Sequence, residues 1–105
     1  GGIVEVAKGL WHGREEADWE QLAQYGAQMG NGAIVKRLGY LLDTLDLAPT
    51  DFREALRTDA VRTRTNLTAG YIALDPLSPP AGRHIARWRL LVNVDDAALT
   101  GWRET

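Results

Sequence analysis

Residues 29–42 read MGNGAIVKRLGYLL, and this stretch decides the fold. Apolar side chains recur every three or four residues along it and just beyond, at Ile34, Leu38, Leu41 and Leu45, with Val35 and Leu42 widening the stripe. This spacing places them on one side of an α-helix. Asn31 can begin the helix, because its side-chain oxygen can accept a hydrogen bond from a free N–H of the first turn. We therefore predict a central helix with one buried side.

Gly39 lies inside this predicted helix, where glycine costs roughly 1 kcal/mol relative to alanine. Glycine also lets another group approach the backbone closely. We expect a helix crossing or the indole of Trp88 to lie against it; a ligand contact is the alternative.

Three further helices are predicted around the central one. The first runs from about Gly2 to Trp11, and Gly13 ends it. The second follows Asp18 and Gln21, a capping-box pair, and ends at Gly30. Its apolar stripe comprises Trp19, Leu22, Ala23, Gly26 and Met29. The fourth helix in chain order begins at Thr50 and ends near Thr58, with Phe52, Ala55 and Leu56 inward and Arg53 and Arg57 in solvent.

Beyond Asn66 the pattern changes from helical periodicity to alternation. Residues 71–74 and 85–92 each alternate in the manner of a half-buried strand, and we expect them to pair antiparallel. Residues 76–82 hold three prolines and a glycine, which favours a surface loop between them. Asp95 or Asp96 is expected to cap a last helical turn carrying Leu99 and Trp102. The fold class predicted is α+β: about four N-terminal helices packed against a C-terminal antiparallel hairpin or small sheet of two to three strands, in one domain over residues 1–105.

The composition limits the classes of function. The chain has 105 residues, 45% of them hydrophobic, and no cysteine, so we expect one packed core without disulfides or thiolate zinc ligands. Its apolar runs are far shorter than the roughly 20 residues that a bilayer requires, and the cytoplasm is the compartment expected.

Charge is distributed unevenly along the chain. Residues 1–61 carry six basic and ten acidic side chains, a net charge of −4, whereas residues 62–105 carry six basic and four acidic ones, a net charge of +2. On the predicted strand Arg87 and Arg89 share one face and Trp88 points to the other. We interpret the basic residues near the strands as candidates for contact with nucleic acid or a protein partner: Lys36, Arg37, Arg62, Arg64, Arg83, Arg87 and Arg89. A solvated basic face is the competing interpretation of each arginine.

Catalysis has little support in the sequence. His12 and His84 are the only histidines and lack the spacing of a helical metal pair; Ser78 is the only serine and lies among prolines. The carboxylates Glu15, Glu16, Asp18 and Glu20 lie where a helix begins, and capping explains them better than acid-base chemistry does. We predict a non-enzymatic protein without metal or cofactor.

Three blocks of sequence, taken together, resemble the carboxy-terminal domain of AbiEi-type antitoxins. The blocks are residues 29–42, residues 71–76 (YIALDP) and residues 87–93 (RWRLLVN), in that order. AbiEi-type antitoxins are transcriptional regulators of type IV toxin-antitoxin systems, which act in abortive phage infection. The opening Gly-Gly-Ile is also similar to the start of this domain, so an upstream winged helix-turn-helix that reads operator DNA is expected in the full-length protein but absent from these residues.

The resemblance implies a regulatory role. The domain would assist repression by operator binding and oppose a nucleotidyltransferase-like toxin, with direct toxin binding left open. Operator DNA would be held mainly by the upstream module, with no membrane contact. The alternative is a protein-interaction or dimerisation module of a transcriptional regulator, with weak self-association and no direct DNA contact, since Trp11, Trp19, Trp88 and Trp102 are large rings suited to interfaces. We expect Trp88 to be the most buried of the four and Trp102 the most exposed.

Overall fold

The fold is α+β, with four helices, then a three-stranded sheet and then short C-terminal helical turns, in a computed structural model that describes residues 2–28, 32–62 and 70–104. The helices are α1 (Ile3–His12), α2 (Trp19–Gln28), α3 (Gly32–Leu45), α4 (Thr50–Arg62) and α5 (Asp96–Thr100), and a 3₁₀ helix (Gly101–Glu104) follows α5. The strands are β1 (Ile72–Ala73), β2 (Arg83–Ile85) and β3 (Leu90–Val92). None of the described helices has both the length and the apolar character needed to cross a membrane.

The first helix begins and ends close to where its sequence predicts, and the second begins where its sequence predicts. The chain leaves α1 at Gly13, whose N–H donates to Gly9 O at 3.0 Å. Asp18 caps α2, because its Oδ1 accepts a hydrogen bond from Gln21 N at 3.1 Å. The stripe on α2 is only partly correct: Trp19 and Ala23 pack on the core, whereas Leu22 is 40% exposed. The predicted cap Asn31, the helix end at Gly30 and the side chains of Gly26 and Met29 lie outside what the structure describes.

The central helix α3 is buried on more than the predicted side. Leu41, Leu42 and Leu45 are at most 1% exposed, as the stripe predicts. Lys36 and Tyr40 are buried as well, while Ile34 and Leu38 are only half-buried. The reason is that α1, α2 and α4 pack against α3, while Lys36 and Tyr40 contact Gly70 and Arg83 of the C-terminal part, so the helix does not present one simple solvent face.

The fourth helix differs from prediction in length and in which residues it buries. It continues to Arg62 instead of ending near Thr58. Leu56 is buried and Phe52 half-buried, as predicted, but Ala55 is exposed. The side chain of Arg53 is only 12% exposed, because its guanidinium reaches Asp43 and Asp46 near the end of α3.

The sheet corrects the predicted strand over residues 85–92. A turn at residues 86–89 divides that segment, with Arg89 N donating to Ala86 O at 3.3 Å, and Arg89 has a φ of 52°, which a strand does not allow. The two halves, β2 and β3, then pair antiparallel as a hairpin, with His84 opposite Leu91. Alternation did not reveal the turn, because Trp88 and Leu90 are both buried on either side of Arg89.

The predicted antiparallel pairing of residues 71–74 with this segment is also wrong. The strand order is β1-β3-β2, and β1 runs parallel to β3, with Ile72 opposite Leu90. Ile72 N donates to Arg89 O at 3.3 Å and Leu74 N to Leu91 O at 2.9 Å. The loop predicted at residues 76–82 reverses the chain between β1 and β2, and the hairpin turn reverses it again between β2 and β3. After these two reversals β3 runs in the same direction as β1.

Gly39 lies directly against Trp88, as predicted. A Cβ atom added at Gly39 would overlap the six-membered ring of the Trp88 indole. Trp88 is 1% exposed, the most buried of the tryptophans, whereas Trp102 is half-buried against the core and not the exposed ring that was expected. The α3 backbone and the hairpin turn therefore meet at the closest contact that glycine permits.

Candidate partner-binding surface

The basic residues predicted as a docking surface are divided among different elements. Arg87 and Arg89 do not share a strand face, because both lie in the turn between β2 and β3. Arg83 begins β2, and Lys36 and Arg37 lie on α3. Arg62 ends α4 with its side chain outside the described part, and Arg64 lies in the undescribed residues 63–69.

Lys36 and Arg37 bind the backbone that leads into the sheet. Lys36 is 1% exposed and its Nζ donates to Gly70 O at 3.2 Å. Arg37 donates from Nε and Nη2 to Ala73 O, at 3.1 and 2.9 Å. Two fixed donors on one carbonyl hold β1 against α3, which is a use of the planar guanidinium that lysine cannot reproduce. The buried Lys36 ammonium does not extend an external basic surface.

The environment shifts the pKa of both groups. Burial lowers the pKa of Lys36, and the positive charge of Arg89 lowers it further. Burial also lowers the pKa of Arg37, while the carboxylate of Asp75 acts in the opposite direction. Arg89 itself is exposed, so it places positive charge at the surface near Lys36.

Arg87 is held by two carboxylates from different helices. Its Nε donates to Asp43 Oδ2 at 2.7 Å and its Nη1 lies 2.6 Å from Glu54 Oε1. The hydrogen bond to Asp43 is the main cause of a raised pKa of Arg87. At Glu54 the pKa is lowered, first by the hydrogen bond from Arg87 and then by the one from Arg57. The turn is thereby attached to both α3 and α4.

Asp43 joins these contacts into one cluster. Its Oδ2 also accepts the indole N–H of the buried Trp88 at 2.7 Å, and its Oδ1 lies 3.4 Å from Arg53 Nη1. Sequence reasoning missed Asp43, although a signal was present. Asp43 follows Gly39 by one helical turn, and the indole N–H of a buried tryptophan at Gly39 requires an acceptor nearby.

Arg83 is exposed at the start of β2. Its side chain is 56% exposed and its Nη2 donates to both carboxylate oxygens of Asp96, at 3.1 and 3.0 Å. A longer contact of 3.4 Å reaches the hydroxyl of Tyr40. The hydrogen bond to Asp96 raises the pKa of Arg83. An exposed ion pair of this kind is weak and can exchange its carboxylate for an external anion.

The histidines and acids considered for catalysis lie in different places. His12 lies with its ring centroid 6.1 Å from that of Trp102, and His84 meets Tyr71 edge-to-face at 4.9 Å. Within residues 2–28, 32–62 and 70–104, no set of three or more His, Asp or Glu side chains is arranged to hold a metal ion. Ser78 donates from its hydroxyl to Asp75 Oδ2 at 2.8 Å and thereby closes the turn after β1.

The three blocks that carry the family resemblance contact one another. Arg37 in the first block binds Ala73 O in the second. Trp88 in the third block packs on Gly39 in the first. Asn93 joins the third block to the second, because its Oδ1 accepts a hydrogen bond from Asp75 N at 2.9 Å and its Nδ2 donates one to Asp75 O at 2.8 Å. Segments far apart in sequence therefore form one structural unit.

Comparison with family models, with curated proteins and with solved structures gave no match for this chain.

Proposed function

We propose that this chain is the regulatory domain of an AbiEi-type antitoxin, a transcriptional regulator of a type IV toxin-antitoxin system. In this role it acts in the cytoplasm without catalysis. It opposes a nucleotidyltransferase-like toxin and assists the upstream module in repressing the operon.

One observation carries the proposal. The three blocks that resemble this family, residues 29–42, 71–76 and 87–93, are joined through Arg37, Trp88 and Asn93. If the three blocks together specify one architecture, they are expected to contact one another in the folded chain, because local sequence choices and the overall fold must agree.

The test is a growth assay with the whole gene product and the nucleotidyltransferase-like protein encoded beside it. Inducing that neighbour alone should arrest growth, and co-expression of the gene product should restore it. A Gly39→Trp variant, which cannot hold Trp88 in place, should fail to restore growth. The matched control is Val6→Ser at an exposed position, which should restore growth fully. Arrest that persists when the unaltered protein is present and folded would contradict the proposal.

A second candidate function is a protein-interaction or dimerisation module that does not touch DNA. The observation that favours it is the number of candidate cations already engaged within the chain: Lys36 and Arg37 with carbonyls, Arg83 with Asp96, and Arg87 with Asp43 and Glu54. A guanidinium held by two carboxylates must lose them before it can bind a phosphate, which reduces the gain from that contact.

Salt dependence of operator binding separates the two candidates. Each neutralised phosphate contributes about 0.9 to the slope of log K against log salt for duplex DNA. If the domain touches DNA, Arg83→Ala combined with Arg89→Ala lowers the slope of the whole gene product by roughly one to two. An unchanged slope, with the protein still folded, assigns DNA binding to the upstream module and supports the interaction module.

A further inference from the structure

Helix α2 exposes an apolar surface on the side away from the core. Trp19 and Ala23 pack inward, whereas Leu22 is 40% exposed and Tyr25 is 64% exposed. Leu22 and Tyr25 are three residues apart, so they are neighbours on the helix surface. Much of their apolar surface is therefore not used to fill the core.

Two clefts share Ala17 and Asp18 as lining residues, at the start of α2. One is about 460 Å³ and is lined by Leu22, Tyr25 and Gln21 as well as by those two residues. The other is about 420 Å³ and is lined additionally by Trp19, Glu20, Pro49 and Phe52. Both are open depressions of the surface, so a side chain laid into either one would be only partly enclosed.

The surroundings of these clefts are acidic. Four exposed carboxylates lie within six positions of the chain: Glu15, Glu16, Asp18 and Glu20. Among the residues that the structure describes, none of the four has a cation within salt-bridge distance. Asp18 caps α2 and Glu20 lies in its first turn, but Glu15 and Glu16 precede the helix and have no such role. The helix start therefore explains the carboxylates of Asp18 and Glu20 but not those of Glu15 and Glu16.

We propose that this surface, formed by residues 15–25 with Pro49 and Phe52, binds a basic polypeptide segment carrying one aromatic or aliphatic anchor side chain. The anchor enters a cleft beside Leu22 and Tyr25, and flanking lysines or arginines meet the carboxylates of Glu15, Glu16 and Glu20. Opposite charges at the rim speed the encounter and select the partner, while the buried anchor supplies most of the affinity.

The negative charge of these four carboxylates disfavours other binding partners at this surface. A nucleic acid would bring its phosphates against these four exposed carboxylates. A second copy packed symmetrically through the same surface would bring two sets of these four acids into one interface, because a two-fold contact uses the same patch on both subunits. A basic partner is the occupant that the electrostatics favour.

The experiment titrates the whole 105-residue chain with synthetic hexapeptides and follows binding by calorimetry at low salt. The basic probe contains two lysines, a leucine, a tryptophan and two further lysines. A second peptide replaces its lysines by glutamates, and a third replaces the leucine and tryptophan by serines. We expect binding of the basic probe alone, weakened as sodium chloride is raised.

Variants of the protein then locate the site. Leu22→Ser with Tyr25→Ser should weaken the basic probe about tenfold or more, and Glu15→Gln with Glu16→Gln should weaken it several-fold and reduce its salt dependence. The matched controls are Val6→Ser and Glu5→Gln on α1, which remove an exposed apolar group and an exposed carboxylate that line neither cleft. Circular dichroism checks that each variant is folded.

Several results would overturn the proposal. They are equal binding of the acidic peptide, unchanged affinity in the Leu22 and Tyr25 variant, or no detectable binding of the basic probe to folded protein. Sedimentation that shows a dimer of the chain alone, dissociated by the Leu22 and Tyr25 variant, would assign the surface to a second copy instead.

Discussion

Asp43 is the residue on which the junction between the helices and the sheet depends most. Its carboxylate meets Arg87, Arg53 and the indole N–H of Trp88, and its side chain is 25% exposed. Arg53 is more deeply buried, and its Nε has no hydrogen-bond partner within the described part of the chain. Removing the negative charge of Asp43 would therefore leave the largely buried guanidinium of Arg53 without one of its two carboxylate partners. This costs more free energy than losing a surface ion pair.

Asp43→Asn should lower the free energy of unfolding by about 1 to 3 kcal/mol, because the amide can still accept from Trp88 but no longer neutralises two arginines. Asp46→Asn is the matched control. The Asp46 side chain is 87% exposed, and asparagine tolerates its φ of 54°, so the loss there should stay below about 1 kcal/mol. Urea denaturation measures both; equal losses would show that Asp43 is an ordinary surface acid.

Gly39 gives a second prediction at this scale. Alanine is the better helix former by roughly 1 kcal/mol. Its methyl group, however, would overlap the Trp88 ring, and forcing the two apart costs typically 1–3 kcal/mol or more. We expect Gly39→Ala to lower the melting temperature. A raised melting temperature would mean that the indole does not lie against this helix.

At the scale of elements, the hairpin turn links the sheet to α3 and α4. Arg87 reaches Asp43 on α3 and Glu54 on α4, while Arg89 O accepts from Ile72 N of β1. Turn residues thus attach the sheet to the helices, whereas Arg87 was expected to lie on a strand face that contacts a partner. Sequence could predict the existence of α1 to α4, the Asp18 cap and the contact of Trp88 with Gly39, because each depends on local periodicity, capping or the special geometry of glycine.

The remaining features could not be predicted, because they depend on tertiary contacts. Lys36 reads as a solvent-exposed residue in the helical pattern, and its burial follows from the distant carbonyl of Gly70. Alternation over residues 85–92 is the same for one long strand as for a hairpin whose turn buries Trp88. The parallel direction of β1 follows from that turn, so one missed reversal produced both errors.

The Glu54–Arg87 contact predicts a pH dependence. In the folded chain the pKa of Glu54 lies below its ordinary value of 4.5, so the unfolded chain binds more protons in the acidic range. The stabilisation is therefore fully present above about pH 4.5 and is lost as pH falls through the lower folded pKa. Denaturation at a series of pH values should show a shallower acid loss for Glu54→Gln than for the unaltered protein. Identical dependence of stability on pH in the two proteins would show that Glu54 does not stabilise the attachment of the hairpin turn to α4.

At the scale of the whole molecule, the surfaces separate by charge. The basic side chains near the sheet are largely engaged in holding it to the helices, as Arg37 and Arg87 show. The exposed carboxylates of Glu15, Glu16, Asp18 and Glu20 lie before and at the start of α2, beside exposed Leu22 and Tyr25. The proposed antitoxin role and the proposed peptide surface thus depend on different residues, and each can fail without the other.

The central structural claim is that blocks 29–42, 71–76 and 87–93 form one cooperative unit. Native-state amide hydrogen exchange tests it most directly. The amide of Leu74, bonded to Leu91 O at 2.9 Å, should exchange with the same opening free energy as the amide of Leu41 in the middle of α3. Asp43→Asn should lower both by the same amount. A Leu74 amide that exchanges by a separate, low-energy opening while Leu41 stays protected, and that does not respond to Asp43→Asn, would contradict the claim.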